Sequence, residues 1–194
     1  DWSKGWFFVG RGGEGNATLT FDNAKLTSVS NNGGIHVSGR EKGTDNKYDG
    51  TLIIKNSSDI QLTEFINRNV VTVENSTVTT TLLTSHGRPA NETESGEEDA
   101  TATFTLTNST LNTQKITNGY EGIGIMNVDA NSNVNVDELT VTATGTLNSA
   151  GNITGAIVKA EEGTIQLTGG IYTTEPQEGW CAENYGAFPY DETS

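Results

Sequence analysis

One short template recurs along this chain, and few folds accommodate it: apolar-x-apolar-x-Asn-x-x-apolar. It fits residues 19–26, 52–60 (with one extra residue), 71–78, 104–111, 134–141 and 165–172. Alternation of apolar and polar residues marks a β-strand with one buried face. The fifth position of the template holds Asn23, Asn56, Asn75, Asn108, Glu138 and Gly169. Asn and Gly take left-handed backbone angles most readily, so this position reads as a sharp bend joining two short strands, with Glu138 the exception. A second family of apolar runs, at 7–10, 35–39, 65–69, 82–86, 123–128 and 156–160, reads as the third strand of each turn. Units of this size cannot bury an apolar face alone and must stack on their neighbours.

The pattern predicts an all-β chain, a right-handed parallel β-helix (solenoid) of about six coils. At an interstrand spacing of roughly 4.8 Å that makes a rod about 30 Å long. A single domain over 1–194 is expected, with an N-terminal cap region at 1–16, coils at 17–174 and a C-terminal cap region at 175–194. A β-sandwich also alternates, but it has no reason to repeat one bend residue at one offset. Stacked bends would align Asn23, Asn56, Asn75 and Asn108 into a ladder in which each amide bonds the next and satisfies polar groups inside the stack. An open solenoid end exposes core and strand edges. Trp2, Trp6, Phe7 and Phe8 near one terminus, and Trp180, Tyr185, Phe188 and Tyr190 near the other, read as aromatic plugs.

Composition fits a thin core repeated many times. Hydrophobic residues make up only 32% of the 194 residues, yet they sit in alternating runs, which argues against disorder. A net charge of −14, with 11 Lys and Arg against 25 acids, argues against nucleic acid and anionic membranes. No stretch approaches the roughly 18 apolar residues of a membrane-crossing helix, so no membrane insertion is expected. The lone cysteine, Cys181, excludes an internal disulfide and a cysteine-built zinc site. A chain that starts at Asp1 without Met suggests a mature or excised segment.

Uneven intervals between the template segments imply that loops of different length project from one corner. The longest spans 86–100 and holds Glu92, Glu94, Glu97, Glu98 and Asp99. It is the first place to look for a binding surface. Those acids supply the oxygens that Ca²⁺ takes, but without the alternating spacing of a calcium loop; the plainer account is a solvated acidic loop, and no cofactor is expected. Asn-x-Ser/Thr sequons occur at Asn16, Asn56, Asn75, Asn91, Asn108 and Asn152. Since ladder residues cannot also carry glycans, Asn16, Asn91 and Asn152 are the better candidates.

Nucleophilic catalysis needs a polarised base, and only His36 and His86 are available, each standing alone. His36 reads as an outward strand residue, His86 as a solvated loop residue, and Cys181 as a small apolar cap residue. Hydrolases of this architecture use clustered Asp residues, and no Asp-Asp pair occurs here. Arg11, Arg40 and Arg68 each follow a third-strand run and would form a column able to grip an anionic glycan; pairing with nearby carboxylates is the simpler role. Outward threonines such as Thr20, Thr72 and Thr105, and Thr27, Thr79, Thr142 and Thr173, suggest a flat array of the kind that binds ice. Ile53, Gln61 and Asn112 interrupt it, and exposed strands favour threonine anyway.

Near the C-terminus, residues 169–187 read GGIYTTEPQEGWCAENYGA. Gly169, Gly170, Pro176, Ala182, Tyr185 and Ala187 match, and Cys181 and Asn184 depart from, a segment that closes β-helical repeats. It resembles the cap of pectate-lyase-like adhesin domains in surface proteins of gut Gram-positive bacteria. The resemblance covers about a tenth of the chain. It implies a secreted or cell-surface protein with an adhesive or scaffolding role, and carries over no catalytic residue. The expectation is an extracellular, non-enzymatic adhesin module or stalk that binds glycan or protein through its loop-bearing face. A polysaccharide-acting enzyme or carbohydrate-binding relative, and a self-assembling fibre subunit with homo-oligomeric or end-to-end contacts, are the alternatives.

Overall fold

The computed structural model describes residues 5–10, 16–27, 33–39, 49–88 and 100–189. All regular elements among them are β-strands in parallel pairs, and the chain is a parallel β-helix. One sheet has seven strands: β2 (Ala17–Asp22), β5 (Gly50–Lys55), β8 (Val70–Glu74), β10 (Thr101–Thr107), β12 (Ile123–Val128), β14 (Gly145–Ser149) and β16 (Thr164–Leu167), stacked in that order. The other has nine. It starts with β1 (Gly5–Val9), and its early rungs are split into β3 (Lys25–Thr27) and β4 (Gly33–Val37), then β6 (Asp59–Gln61) and β7 (Glu64–Asn67). From there each rung is one long strand: β9 (Thr77–Ser85), β11 (Thr110–Asn118), β13 (Asn133–Val141) and β15 (Asn152–Lys159).

Alternation puts every second side chain into the space between the sheets. One inward column of the seven-stranded sheet runs Leu19, Leu52, Val71, Phe104, Met126, Leu147, Ile165. Opposite it runs Phe7, Ile35, Phe65, Leu83, Ile116, Leu139, Ile157. The two columns meet edge to face at Phe65 and Phe104, whose ring centroids are 5.6 Å apart. This is how a chain poor in apolar residues builds a dry core: each rung contributes only a few, all in register.

The predicted bends are present at four rungs. Asn23, Asn56, Asn75 and Asn108 have φ of 50°, 52°, 47° and 46°, and their backbone N–H groups donate rung to rung, Asn23 to Lys55 O, Asn56 to Glu74 O and Asn75 to Thr107 O. The file is single, but it lies outside. All four side chains are exposed, one amide–amide bond joins Asn108 Nδ2 to Asn75 Oδ1 (2.8 Å), and Asn56 Nδ2 turns to Asp22 (3.0 Å). The buried ladder belongs to the next residue. Ser57 N donates to Ser76 Oγ (3.0 Å), Ser76 N to Ser109 Oγ (3.1 Å) and Ser109 N to Ser132 Oγ (3.1 Å), all four serines being buried.

Two template assignments are corrected. Residues 134–141 contain no bend at Glu138; they lie within β13, where Val134 pairs beside Leu111, and Glu138 is a strand residue bound to Lys115 (3.2 Å). Residues 123–128 form β12 of the seven-stranded sheet rather than a third strand. The cause is one extra residue in the bend after β12, where Asp129 accepts from Asn131 N (3.2 Å) and from Ser132 Oγ (2.5 Å), in place of a left-handed Asn. The next bend, through Ala150 and Gly151, carries no Asn.

The ends also differ from expectation. β1 pairs with β4, so the coils begin inside the expected N-terminal cap region. Phe7 closes the inner column and packs near Phe21 (6.4 Å), while Trp6 and Phe8 flank His36 on the outside. At the other end Trp180 is the plug, 3% exposed, with its carbonyl accepting from Leu167 N (2.8 Å). Tyr185 and Phe188 are not plugs; they are 54% and 86% exposed. Trp2 and Tyr190 lie outside the described residues.

Candidate functional site

Parallel stacking turns sequence alternation into surface columns, so the outward residues of each sheet define what the rod presents. On the seven-stranded sheet one outward column reads Thr18, Thr51, Val70, Thr103, Ile125, Thr146, Thr164. Its neighbour reads Thr20, Ile53, Thr72, Thr105, Asn127, Asn148, Gln166. Neither contains a charged residue. Rungs lie about 4.8 Å apart and the two columns roughly 6.7 Å apart, two residues along the strand. Side chains within the face bond each other: Asn148 Nδ2 donates to Asn127 Oδ1 (2.9 Å) and Asn127 Nδ2 to Thr105 Oγ1 (3.4 Å). Charge begins at the rim, where Asp22, Lys55 and Glu74 stack at the ends of β2, β5 and β8 and Lys55 pairs with Asp22 (3.2 Å). The Asn56 amide and Lys55 hold Asp22 below the usual carboxylate range.

The nine-stranded sheet is different. Its outward columns include the pairs Lys25–Asp59 and Lys115–Glu138, and these lower the pKa of both carboxyls. It also carries an amide ladder, Asn135 Nδ2 to Asn112 Oδ1 (2.8 Å). The threonine columns read from sequence are therefore half right. Thr20, Thr72 and Thr105 share a file, and Thr27 and Thr79 share another with Gln61 and Asn112; Thr173 continues that second file, since Tyr172 bridges Ile153 next to Thr154, whereas Thr142 lies in the turn before β14.

The longest connections leave from one corner, where the chain passes from the nine-stranded sheet to the next strand of the seven-stranded one; a shorter one joins β3 to β4 within the nine-stranded sheet. The longest is closed at its base by Gly87 N to Ile123 O (2.8 Å) and Ala100 N to Arg88 O (2.7 Å). The acidic cluster Glu92, Glu94, Glu97, Glu98 and Asp99, together with Asn91, Arg11 and Arg40, lies outside the described residues. His86 is not solvated. It is 3% exposed, its Nδ1 lies 2.7 Å from Gly87 O, and its ring packs edge-on against Tyr120 (5.7 Å). Burial lowers its pKa, and Arg68 and Arg88 push the same way. Arg68 lies 4.0 Å from Glu121, a carboxylate partner of the kind expected. Below this corner Asn67, Ser85 and Asn118 form a buried polar file that sequence reading passed over. Asn67 Nδ2 donates to Ser85 Oγ and Thr103 O (both 3.0 Å), and Asn118 Nδ2 to Thr146 O (2.7 Å). The signal was there in polar residues closing apolar runs.

Among the sequons, Asn56, Asn75 and Asn108 are exposed, with the amide nitrogens of Asn56 and Asn108 held by Asp22 and Asn75. Asn152 has both ends of its amide engaged, donating to Asn133 Oδ1 and accepting from Ile171 N (both 3.0 Å). Asn16 is exposed and accepts from Asp49 N (3.2 Å). At the cap a cleft of about 580 Å³ is lined by residues that include Tyr172, Glu175, Pro176, Cys181, Tyr185 and Phe188. Burial raises the Tyr172 pKa, and its hydroxyl donates to Ser149 O (3.2 Å). Cys181 is a half-buried free thiol. No group of three or more His, Cys, Asp or Glu stands together among the described residues in a way that would hold a metal ion. No family model matches this chain, and neither curated proteins nor solved structures give a match.

Proposed function

We propose that this chain is an extracellular, non-enzymatic β-helix module, an adhesin unit or stalk that binds glycan or protein on its surface. The observation that supports this reading best is the seven-stranded face: a rigid, uncharged array held in place by rung-to-rung bonds such as Asn148 to Asn127. Side chains already fixed in one arrangement lose little entropy when a partner docks, which is what a display surface requires. The test is a glycan and protein array probed at low and moderate salt, followed by assay of any retained glycan for reducing or unsaturated ends. Retention without turnover supports the module; released sugar ends make it an enzyme.

A fibre subunit is the second reading. It draws on the N-terminal end, where β1, β2 and β3 each pair on one side only among the described residues and Trp6 and Phe7 are 37% and 41% exposed. Sedimentation that shows concentration-dependent linear assembly favours this alternative, and a monomer at all concentrations removes it.

A further inference from the structure

We infer that the outward face of the seven-stranded sheet binds a neutral, extended polysaccharide laid along the rod axis. The inference rests on reading the chain as a glycan-binding module, and it names the class of glycan and the face.

Charge selects the class. A molecule with net charge −14 repels uronate and sulfated chains at long range, and the two central columns of this face offer no cation to reverse that. A neutral polymer meets no such penalty. The face is also amphiphilic on the scale of a sugar ring. Ile53, Val70 and Ile125 stand among threonines in the first five rungs, while Asn127, Asn148 and Gln166 supply amides toward the capped end. An amide offers both donor and acceptor, as a sugar hydroxyl does, and β-branched side chains suit the C–H faces of pyranoses. Register adds to the match: each equatorially linked pyranose advances by close to one rung spacing, and because alternate rings are flipped, equivalent hydroxyls recur at about every second rung. Ice is a poorer fit, because paired threonines survive on only two rungs, Thr18 with Thr20 and Thr103 with Thr105.

The full chain is tested by affinity electrophoresis in gels containing hydroxyethyl cellulose, glucomannan or arabinoxylan, with polygalacturonate alongside. Retardation by at least one neutral polymer is expected, persisting at moderate salt, with none by polygalacturonate. Asn127→Asp with Asn148→Asp places charge in the face and is expected to weaken binding by about tenfold or more. Asn112→Asp with Asn135→Asp makes the same change in the ladder of the other sheet and should leave binding unaltered. Because adjacent carboxylates in the first pair strain the fold, exposed Gln166→Glu serves as the second face variant, with thermal melts to verify folding. Binding by no neutral polymer, binding of polygalacturonate instead, ice shaping without glycan retention, or wild-type affinity in folded Gln166→Glu and in the double variant would each overturn the inference. Wild-type affinity in those variants would still leave the module reading standing, whereas released sugar ends would remove it.

Discussion

At the corner after the seven-stranded sheet the Asn rungs turn within residues 23–24, 56–58, 75–76 and 108–109, whereas at the corner before that sheet the chain uses anything from residues 68–69 to residues 86–100. At these four rungs the short corner keeps one conformation. A left-handed Asn makes the bend, and behind Asn56, Asn75 and Asn108 a buried serine closes the backbone: Ser76 Oγ accepts from Ser57 N and donates to Glu74 O (2.7 Å), while Ala24, behind Asn23, donates its N–H to Ser57 Oγ (3.0 Å). The long corner tolerates variation because its anchors lie beneath the loops. Asn67, Ser85, Asn118 and His86 are buried there, and glycines let backbone strands approach closely. A fixed repeat of backbone angles is needed where the turn is tight; where it is loose, a floor of buried polar groups does the same work and leaves the loop free to change.

The floor of the long corner is where one substitution does the most damage. A Cβ on Gly124 would lie 2.3 Å from Gly119 N and 2.4 Å from Ser85 O, against backbone that cannot give way. Gly124→Val is therefore expected to cost about 3 kcal/mol or to abolish folding, as overpacking against fixed neighbours does. Urea titration measures it, and a stable variant would show that the corner is looser than described.

At the short corner Ser109→Ala strips the acceptor from the buried Ser76 N–H, an expected loss of about 1–3 kcal/mol in the same titration. Smaller again is Asn75→Ala, which keeps φ at 47° without the side chain that tolerates it, for about 1 kcal/mol. Asn75→Gly should recover most of that, since glycine takes this angle freely. If both Asn75 variants lose the same amount, the ladder bond rather than the bend conformation is what Asn75 contributes.

What sequence made legible follows the same division. The tight corner imposes a residue type at a fixed offset, so Asn23, Asn56, Asn75 and Asn108 were found as a file and their left-handed angles anticipated. That reading failed at the rung of Met126 because Asp129 and Ser132 build an equivalent bend with one more residue, and 134–141 then mimicked the template inside a single long strand. Whether the ladder faced in or out was not readable, because a left-handed bend fixes the backbone and leaves the side chain's direction to its neighbours. The uncharged face was only half seen. Thr20, Thr72 and Thr105 were aligned by the template, but Asn127 and Asn148 join their column, and Ile125 and Thr146 the neighbouring one, only once β12 and β14 are known to be rungs.

The smallest expected effect distinguishes the corners by pH. Burial, aided by Arg68 and Arg88, depresses the His86 pKa in the folded chain, so the unfolded chain takes up the proton first. Stability from this group is complete above the unfolded pKa of about 6.5 and falls as pH drops from there, until the folded pKa is passed. Urea midpoints compared across that window should decline in the parent, and less in His86→Gln. Asp22, Asp59 and Glu138, whose folded pKa values are also lowered, act only in more acidic solution, so the difference between parent and His86→Gln in this window belongs to His86.

Rung assignment is best examined with paired cysteines in a Cys181→Ala background. Thr105 and Asn127 are partners on neighbouring rungs, at a separation of about 4.8 Å that a disulfide spans. Thr105→Cys with Asn127→Cys should oxidise to a crosslinked chain in mild oxidant, and Thr105→Cys with Asn135→Cys should stay reduced. Crosslinking of the second pair and not the first would mean that the coils stack as the bare template has them, and the columns described for both faces would be wrong.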